Sequence, residues 1–448
     1  MINLKLTPTA RALMAADIIG NPLAGVPTPS LDLDFVNSST LDSRITFSRA
    51  SSATYFDSSG VLQTAASGVA RFDHNPTTLA RLGLLIEEQR TNSIRNNTMQ
   101  GAVAGTPGTA PTNWTGSTTI SGLAREIVGI GIEDGVDYID VRFSGTTTAA
   151  LNGAQLISPA GFTNAASASV GQTWTQSVFA YLISGSFTNV TQIAFDVVEI
   201  NSVGTSVAAG GSFSILSNTS GPLKNNRLAG TRTLANATVS IVGQRLILTA
   251  SSGAAIDFTL RIGLPQLEQG AFATSVIPTT TAAATRNADV ASMTGTNFSS
   301  WYSASEGTLY AEYSIPFDSS ESIFPLVFTI DDGSNNNRIS IQNRTIDDKA
   351  AGVARANATL QLECISSQTF SYGTTQKTIF GYALNNAALS LNGAAVTTDT
   401  SGTLPSNLNV ARIGNNVGGY NNYLNGTIRK IAYWPVRLEN AQLQALTR

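Results

Sequence analysis

The stretch ATVSIVGQRLILTASSGAAIDFTLRIGLPQLEQG, residues 237–270, points most directly to the fold of this 448-residue chain. It contains two segments, 237–250 and 256–270, that are rich in the β-branched and aliphatic residues typical of strands. A short break containing Ser and Gly lies between them, and both residue types favour turns. The stretch therefore predicts two β-strands joined by a turn.

The same pattern recurs on both sides of this stretch. Upstream lie the strand-like segments VDYIDVRFSG (136–145), WTQSVFAYLISG (174–185) and TQIAFDVVEIN (191–201). Downstream lie GTLYAEYSIPF, FPLVFTIDDG, NRISIQN, TIFGYALNN, AALSLNGAAV and TIRKIAYWPVRL, and the closing LENAQLQALTR has a helical pattern. Asn392-Gly393 separates two apolar segments and predicts a hairpin. Many short strands with this punctuation predict an all-β chain of tandem β-sandwich or jelly-roll domains.

The first hundred residues predict a short helix followed by strands and hairpins. Thr7 can cap the helix, Pro8 suits its first position and Gly20 can end it. The helix is apolar on most sides, so it requires a partner surface: its own domain, copies of itself or a larger particle. After it, LDLDFV alternates as a half-buried strand does, and Asp57–Gly60 is placed as a hairpin loop.

Two stretches rich in small residues, Pro and Thr predict linkers, GAVAGTPGTAPT at 101–112 and IPTTTAAATRNAD at 277–289. The chain is too long for one core, since cores stop growing at roughly 250–300 residues. We therefore expect three parts. They are an N-terminal attachment and oligomerisation region at 1–100, a jelly-roll-like sandwich at 101–288 and a lectin-like sandwich at 289–448.

Composition and charge exclude several classes of function. Charged residues make up 12% of the chain, the net charge is −3 and no run of Lys or Arg occurs, which argues against nucleic-acid binding and against attachment to anionic lipid. No apolar run approaches the roughly 20 residues of a membrane span. Asp17 interrupts the apolar part of the N-terminus, so no signal peptide is expected. The single cysteine, Cys364, forms no intrachain disulfide.

Catalytic devices are poorly represented, and we predict that the protein is not an enzyme. His74 is the single histidine, and we interpret it as a hydrogen-bonded structural residue. Glycosidase chemistry needs two carboxylates and no histidine. However, Asp196 and Glu199 point to opposite faces of a strand, and Asp32 and Asp34 alternate with no accompanying Glu.

No cofactor is expected. One Cys and one His cannot build a zinc site, but calcium is less easily excluded because loop oxygens bind it. TIDDGSNNN offers Asp331 and Asp332, and IEDGVD offers Glu133, Asp134 and Asp137. Ordinary acidic turns are the alternative interpretation of both segments.

Glycan binding is the chemistry that the chain could best support, at the loop NNVGGYNNYLNG, residues 415–426. Sugar rings stack on aromatic faces, and planar amides bind their hydroxyls. The candidate ligand-binding residues are Tyr420, Asn421, Asn422, Tyr423 and Asn425. A polar hairpin loop with one tyrosine packed inward is the alternative.

The four tryptophans and Tyr302 have structural interpretations as well. Trp301 and Tyr302 open the last domain as core residues or as clamps at the linker. Trp114, Trp174 and Trp434 are expected in the core.

Three segments resemble parts of fibre and head-spike proteins of tailed phages. The first is FSRASSATYFDSSGVLQTAASGVARFDHNP with LGLLIEEQRTN, residues 47–92. The second, LRIGLPQLEQGAFATSVIPTTTAAATRNADV (260–290), resembles the end of a carbohydrate-binding-module-like jelly roll. The third, LSLNGAAV, ARIGNN and LNGTIRKIAYWPVRLENAQLQAL, resembles the last strands and closing helix of a laminin-G-like or concanavalin-A-like sandwich.

The resemblance implies a virion protein made in a host cytoplasm. It would be a fibre or spike subunit, usually a homotrimer, that joins other virion proteins through its N-terminal region and contacts host-surface polysaccharide. A purely architectural head or tail decoration and a polysaccharide depolymerase remain the alternatives, because fold does not fix function.

Overall fold

The structure is a computed structural model, and it describes residues 23, 25–160, 165–318, 324–415, 417 and 422–448. The predicted helix within the first 20 residues lies outside this range. The described chain is almost entirely β, as the sequence predicts. None of its helices is long and apolar enough to cross a membrane.

The strands of the first half are β1 Leu31–Asp34, β2 Thr46–Ser48, β3 Ala53–Phe56, β4 Leu62–Ala65, β5 Phe72–His74, β6 Arg81–Ile86, β7 Arg90–Asn92, β8 Thr119–Ile120, β9 Leu123–Glu133, β10 Val136–Thr146, β11 Leu151–Ala160, β12 Ala166–Ser167, β13 Thr173–Ser186, β14 Val190–Asn201 and β15 Ser206–Ser214. Those of the second half are β16 Arg227–Thr233, β17 Val239–Ala250, β18 Ala255–Gln269, β19 Ala284–Arg286, β20 Val290–Thr294, β21 Glu306–Ser314, β22 Leu326–Asp331, β23 Arg338–Arg344, β24 Lys349–Ala356, β25 Thr359–Thr369, β26 Gln376–Ala383, β27 Asn386–Leu391, β28 Thr397–Asp399, β29 Val410–Ile413 and β30 Gly426–Trp434. The helices of the described residues are α1 Thr296–Ser299 and α2 Asn440–Leu446, with a 3₁₀ turn at Leu223–Asn225.

The chain divides into two compact units. The first unit contains the described residues up to Phe47, together with Gly83–Glu87 and Val290–Arg448. The second unit contains Ser48–Leu82 and Glu88–Asp289. Residues of the 1–100 region are thus shared between the units, and a separate attachment region there stays a prediction.

The second unit is a β-sandwich. One sheet has the order β16-β13-β18-β10-β9-β8, and the other has the order β11-β17-β14-β15 with β12 on β17. Inward-facing side chains of both sheets form one apolar core, in which Phe143 contacts Phe258 with 5.6 Å between ring centroids. Trp114 and Trp174 are buried, as expected. This arrangement confirms the sandwich predicted from the strand pattern.

The first unit is a second sandwich. One sheet contains β28-β27-β26-β21-β30, and β1 and β6 both pair with the free edge of β30. The other has the order β2-β20-β29-β22-β23-β24-β25. The sheets approach closely, because a methyl group on Gly352 of β24 would overlap the ring of Phe380 in β26. The Tyr313 hydroxyl of the first sheet also donates to Asn343 of the second at 2.7 Å.

Several local predictions are confirmed. The Asp57 carboxylate accepts the backbone N–H groups of Ser59 and Val61, which closes the β3–β4 hairpin. Asn392 and Gly393 both have positive φ, and the Ala394 N–H donates to the Leu391 carbonyl, as a hairpin turn requires. The closing helix α2 is present.

Both predicted linkers lie within the second unit, and the second of them ends where the first unit resumes after Asp289. Residues 101–112 are an integral loop of the second unit, with Gly105 bridged to Ile127 of β9. Residues 277–289 belong to the same unit, where β19 pairs with β7. Small residues, Pro and Thr occur both in free linkers and in packed loops, so composition alone does not separate the two.

A buried ion-pair network of three side chains joins distant parts of the second unit. Asp289 contacts Arg49 at 3.0 Å and Arg71 at 2.5 Å, and all three side chains have no exposed surface. The two arginines lie in the first segment that resembles phage proteins, and Asp289 lies in the second. The network therefore gives these segments a structural role in this fold.

Candidate functional site

The strongest candidate site is an open groove in the first unit, with a volume of about 650 Å³. We call it the aromatic groove. Its walls come from helix α1, the turn that follows it and the segment before β29. The lining residues are Gly295, Thr296, Phe298, Ser299, Tyr302, Ala304, Pro405, Asn407, Leu408 and Asn409.

Two stacked rings form the apolar wall of the groove. Phe298 and Tyr302 lie 4.7 Å apart between centroids with an angle of 29° between their planes. Trp301 packs edge-on against Phe298, and its indole N–H donates to the Asn297 carbonyl at 2.8 Å. Tyr433 packs behind Trp301 at 5.0 Å. These contacts hold the rings in place, so a ligand meets a preformed surface.

Polar groups surround this wall. Thr296, Ser299, Asn407 and Asn409 are exposed at the groove. Asn407 has a φ of +61°, a conformation that Asn tolerates better than most residues. The Asn409 N–H donates to the Asp331 carbonyl at 2.9 Å, which anchors the segment to β22. The groove thus offers amides and hydroxyls beside an aromatic face.

The tyrosine of the groove is held in its neutral form. Burial raises the pKa of the Tyr302 phenol, with a smaller contribution from Tyr433. At physiological pH the hydroxyl can therefore donate and accept hydrogen bonds without carrying charge.

The loop predicted from sequence, residues 415–426, is only partly described. Tyr420 and Asn421 lie outside the described residues. The flanking strands β29 and β30 belong to different sheets, so the loop crosses between the sheets and is no hairpin. Asn422 and Tyr423 are half-buried, and Asn425 is 3% exposed, leaving it little surface for a ligand. The assignment of these residues to a sugar stays a prediction.

A second concavity, of about 270 Å³, lies in the same unit between β23 and β24. We call it the arginine pocket. It is lined by Asn335, Asn336, Arg338, Arg355 and Ala358.

The carboxylates considered for catalysis form ion pairs or accept backbone hydrogen bonds. Asp196 contacts Arg245 at 2.8 Å, and Glu199 contacts Arg232 at 2.5 Å. Asp32 contacts Lys430 at 2.9 Å. Asp34 accepts backbone N–H groups from Val36 and Asn37. His74 is buried with Nδ1 3.1 Å from the Phe56 carbonyl oxygen, which confirms its structural interpretation.

The acidic turns considered for calcium also have protein partners. Asp331 contacts Arg412 at 2.7 Å, and Asp332 accepts hydrogen bonds from Ser334 and Asn337. Glu133 contacts Arg261 at 2.6 Å, and Asp134 contacts Lys224 at 3.2 Å. Burial raises the pKa of Asp137. Within the described residues, no three Asp, Glu, His or Cys side chains come together as metal ligands.

The remaining predictions for aromatic residues concern Trp434, Trp301 and Tyr302. Trp434 is buried and donates to the Pro27 carbonyl at 2.7 Å, as expected for a core residue. Trp301 is also core, whereas its neighbour Tyr302 faces the groove. Sequence reasoning missed Asn407 and Asn409. Their only signal is the Pro- and Asn-rich segment LPSNLN immediately before a strand.

No protein-family model matches this chain, and no curated protein is similar to it. Among solved structures, the chain is similar to the Ruminococcus gnavus IT-sialidase CBM40, with 13% identity, a TM-score of 0.28, and coverage of 33% of this chain and 84% of that one. It is also similar to domains LG4-5 of the mouse laminin alpha1 chain, with 10% identity, a TM-score of 0.20, and coverage of 59% and 82%.

A third similar structure is the CBM22-1-CBM22-2 tandem domain of Xyn10C from Paenibacillus barcinonensis, with 9% identity, a TM-score of 0.21, and coverage of 75% and 99%. Overlaps of this size assign no family, ligand or activity to this chain. The fold class rests on the strands and sheets described above.

Proposed function

We propose that this protein is a glycan-binding module, and that the aromatic groove of the first unit is its binding site. The observation that carries the proposal is the half-buried Tyr302 ring, which lines the groove, stacks on the buried Phe298 ring and lies beside exposed amides and hydroxyls. A pyranose has an apolar C–H face and a polar rim. An aromatic wall with polar groups at its edge complements both.

The setting we propose is a fibre or spike subunit of a phage particle that contacts host-surface polysaccharide. Support for this setting comes from the sequence resemblance of residues 47–92 and 260–290, whose arginines and aspartate meet in the second unit. A homotrimer, attachment to other virion proteins through the N-terminal region and location in the virion belong to the same proposal. A mass measurement of the purified protein tests the trimer, and a clean monomer at micromolar concentration contradicts it.

The groove is tested with Tyr302→Ala, measured as binding of the full-length protein to a panel of immobilised bacterial polysaccharides. We expect a loss of about fivefold or more in affinity, because stacking on one ring is worth roughly 1 kcal/mol or more. Tyr302→Phe keeps the ring and should keep most of the binding. Tyr55→Ala, in the second unit, is the matched control. Unchanged binding by Tyr302→Ala would remove the groove assignment.

The predicted loop is tested separately with Tyr420→Ala plus Tyr423→Ala. Loss of binding in this variant and not in Tyr302→Ala would move the site to residues 415–426. Loss in neither variant, together with unchanged adsorption to host cells, would favour the architectural alternative. Release of reducing sugar from a bound polysaccharide would favour the depolymerase, which we do not propose.

A further inference from the structure

We infer that the glycan recognised by the first unit carries an anionic group, a carboxylate or a phosphate, and that the arginine pocket binds it. This inference rests on the proposed glycan-binding function and specifies its ligand class. Arg338 and Arg355 are its principal residues, and Asn335 and Asn336 complete the pocket.

The two arginines face each other across neighbouring strands. Arg338 of β23 and Arg355 of β24 are directly paired in the antiparallel register. Paired residues of this kind have Cβ atoms about 5 Å apart on the same face of the sheet. Two like charges at such positions repel each other. A bound anion would turn this repulsion into two attractions.

The pocket holds both guanidinium groups in place. Arg338 is 7% exposed and donates to the side chain of Asn335. Arg355 donates to the Ala358 carbonyl at 3.3 Å. Among the described residues, no carboxylate lies within ion-pair distance of Arg355. A guanidinium group has five N–H donors in a planar fork, a geometry that matches carboxylate and phosphate oxygens.

The acidic residue closest to the pocket along the paired strands, Asp331, binds a different arginine. Arg338 lies between two cross-strand partners, Arg355 of β24 on one side and Asp331 of β22 on the other. The Asp331 carboxylate contacts the Arg412 guanidinium at 2.7 Å and 3.4 Å. Asp331 is thus engaged by another cation.

The pocket and the aromatic groove lie at the same end of one sheet. Val410, Asp331, Arg338 and Arg355 are successive cross-strand partners. Strands are about 4.8 Å apart, so roughly 10–14 Å separate Val410 from the two arginines. Asn407 and Asn409 of the groove come three residues and one residue before Val410. A short oligosaccharide can therefore place a ring in the groove and an acidic substituent in the pocket.

The test uses the full-length protein and three immobilised polymers at physiological ionic strength. They are polygalacturonate, its carboxyl-reduced neutral form and a phosphate-bearing teichoic acid. We expect the wild type to bind at least one anionic polymer more tightly than the neutral one. Arg355→Gln should lower that affinity about tenfold and leave binding to the neutral polymer unchanged. Arg355→Lys, which keeps the charge without the fork, should lie between the two.

Arg142→Gln is the charge-matched control, because Arg142 is an exposed arginine of the second unit. It should change none of the affinities, which separates a local site from net charge. Preference for carboxylate over phosphate identifies the source of the anion. The inference is overturned if the wild type prefers the neutral polymer, or if Arg355→Gln binds the anionic polymers as tightly as the wild type. In either case the aromatic groove remains the binding site if Tyr302→Ala removes binding. Absence of binding to all three polymers also overturns the inference. The groove assignment is tested separately, by the effect of Tyr302→Ala on binding to the polysaccharide panel.

Discussion

Both sandwiches contain ion pairs, but they differ in where some of their arginines lie. In the second unit, Arg261 contacts both Asp140 and Glu133, and Asp289 is enclosed by two arginines. In the first unit, Arg338 and Arg355 face each other across a pocket. Paired charges connect strands within the fold, whereas like charges on paired residues of neighbouring strands repel each other. The comparison agrees with a bracing role for the ion pairs of the second unit and with the ligand contact proposed for the first.

The tryptophans of both units are buried, and Tyr302 beside one of them is not. Trp114 and Trp174 of the second unit are buried in its core. In the first unit, Trp301 is equally buried, but the neighbouring Tyr302 remains open to a groove. A ring that is held from behind and open in front is suited to stacking with a ligand.

The largest effect is expected at the buried ion pairs of the second unit. Asp289→Ala leaves two buried guanidinium groups without this carboxylate, which typically costs about 3–5 kcal/mol of the free energy of unfolding. Urea unfolding followed by hydrogen exchange would measure the loss and place it in the second unit. The exposed Asp257 is the control, and its replacement by Ala should have no comparable effect. A small loss for Asp289→Ala would break the contrast between the units.

A smaller loss is expected at Arg261. This side chain donates to Asp140 and Glu133 and lies over the Tyr138 ring at 3.7 Å. Because it is partly exposed, solvent screens these pairs, and Arg261→Met should cost about 1–2 kcal/mol. Chemical denaturation checks this value. A loss below about 0.5 kcal/mol would mean that the network on this face does not brace the sheet.

Replacing an arginine of the arginine pocket is expected to have no effect on stability or to increase it. Arg355→Gln removes the repulsion from Arg338 and should leave the stability of the first unit unchanged or raise it by up to about 1 kcal/mol. Thermal unfolding without ligand provides the measurement. If the substitution destabilised the unit by several kcal/mol, the two arginines would be structural and the contrast would fail.

The smallest effect is expected at Cys364, on the core-facing side of the sheet that carries the arginine pocket. Cys364 is 1% exposed, and burial raises the pKa of its thiol to about 12. Since the thiolate is the reactive form, alkylation by iodoacetamide at pH 8 should be negligible in the native protein and complete in urea. The native rate should rise as the pH approaches 12. Rapid labelling at pH 8 would show that the core behind the arginine pocket opens.

Much of the fold could be predicted because its signals are local. Alternation in LDLDFV places Leu31 and Leu33 in the core and Asp32 in solvent, as found in β1. The Asn392-Gly393 turn depends on residues that adopt positive φ with little strain. Strands without a clear pattern, such as β15 and β16, were missed, because their side chains are mostly exposed or half-buried.

The sequence by itself determined an all-β chain, because low charge, abundant turn formers and alternating apolar residues are properties of short segments. Only the tertiary structure decided that the predicted linkers pack inside one unit, that Tyr302 opens onto a groove and that Arg338 meets Arg355. The physical reason is that pairing between distant strands depends on register, and register brings together residues whose separation along the chain carries no signal.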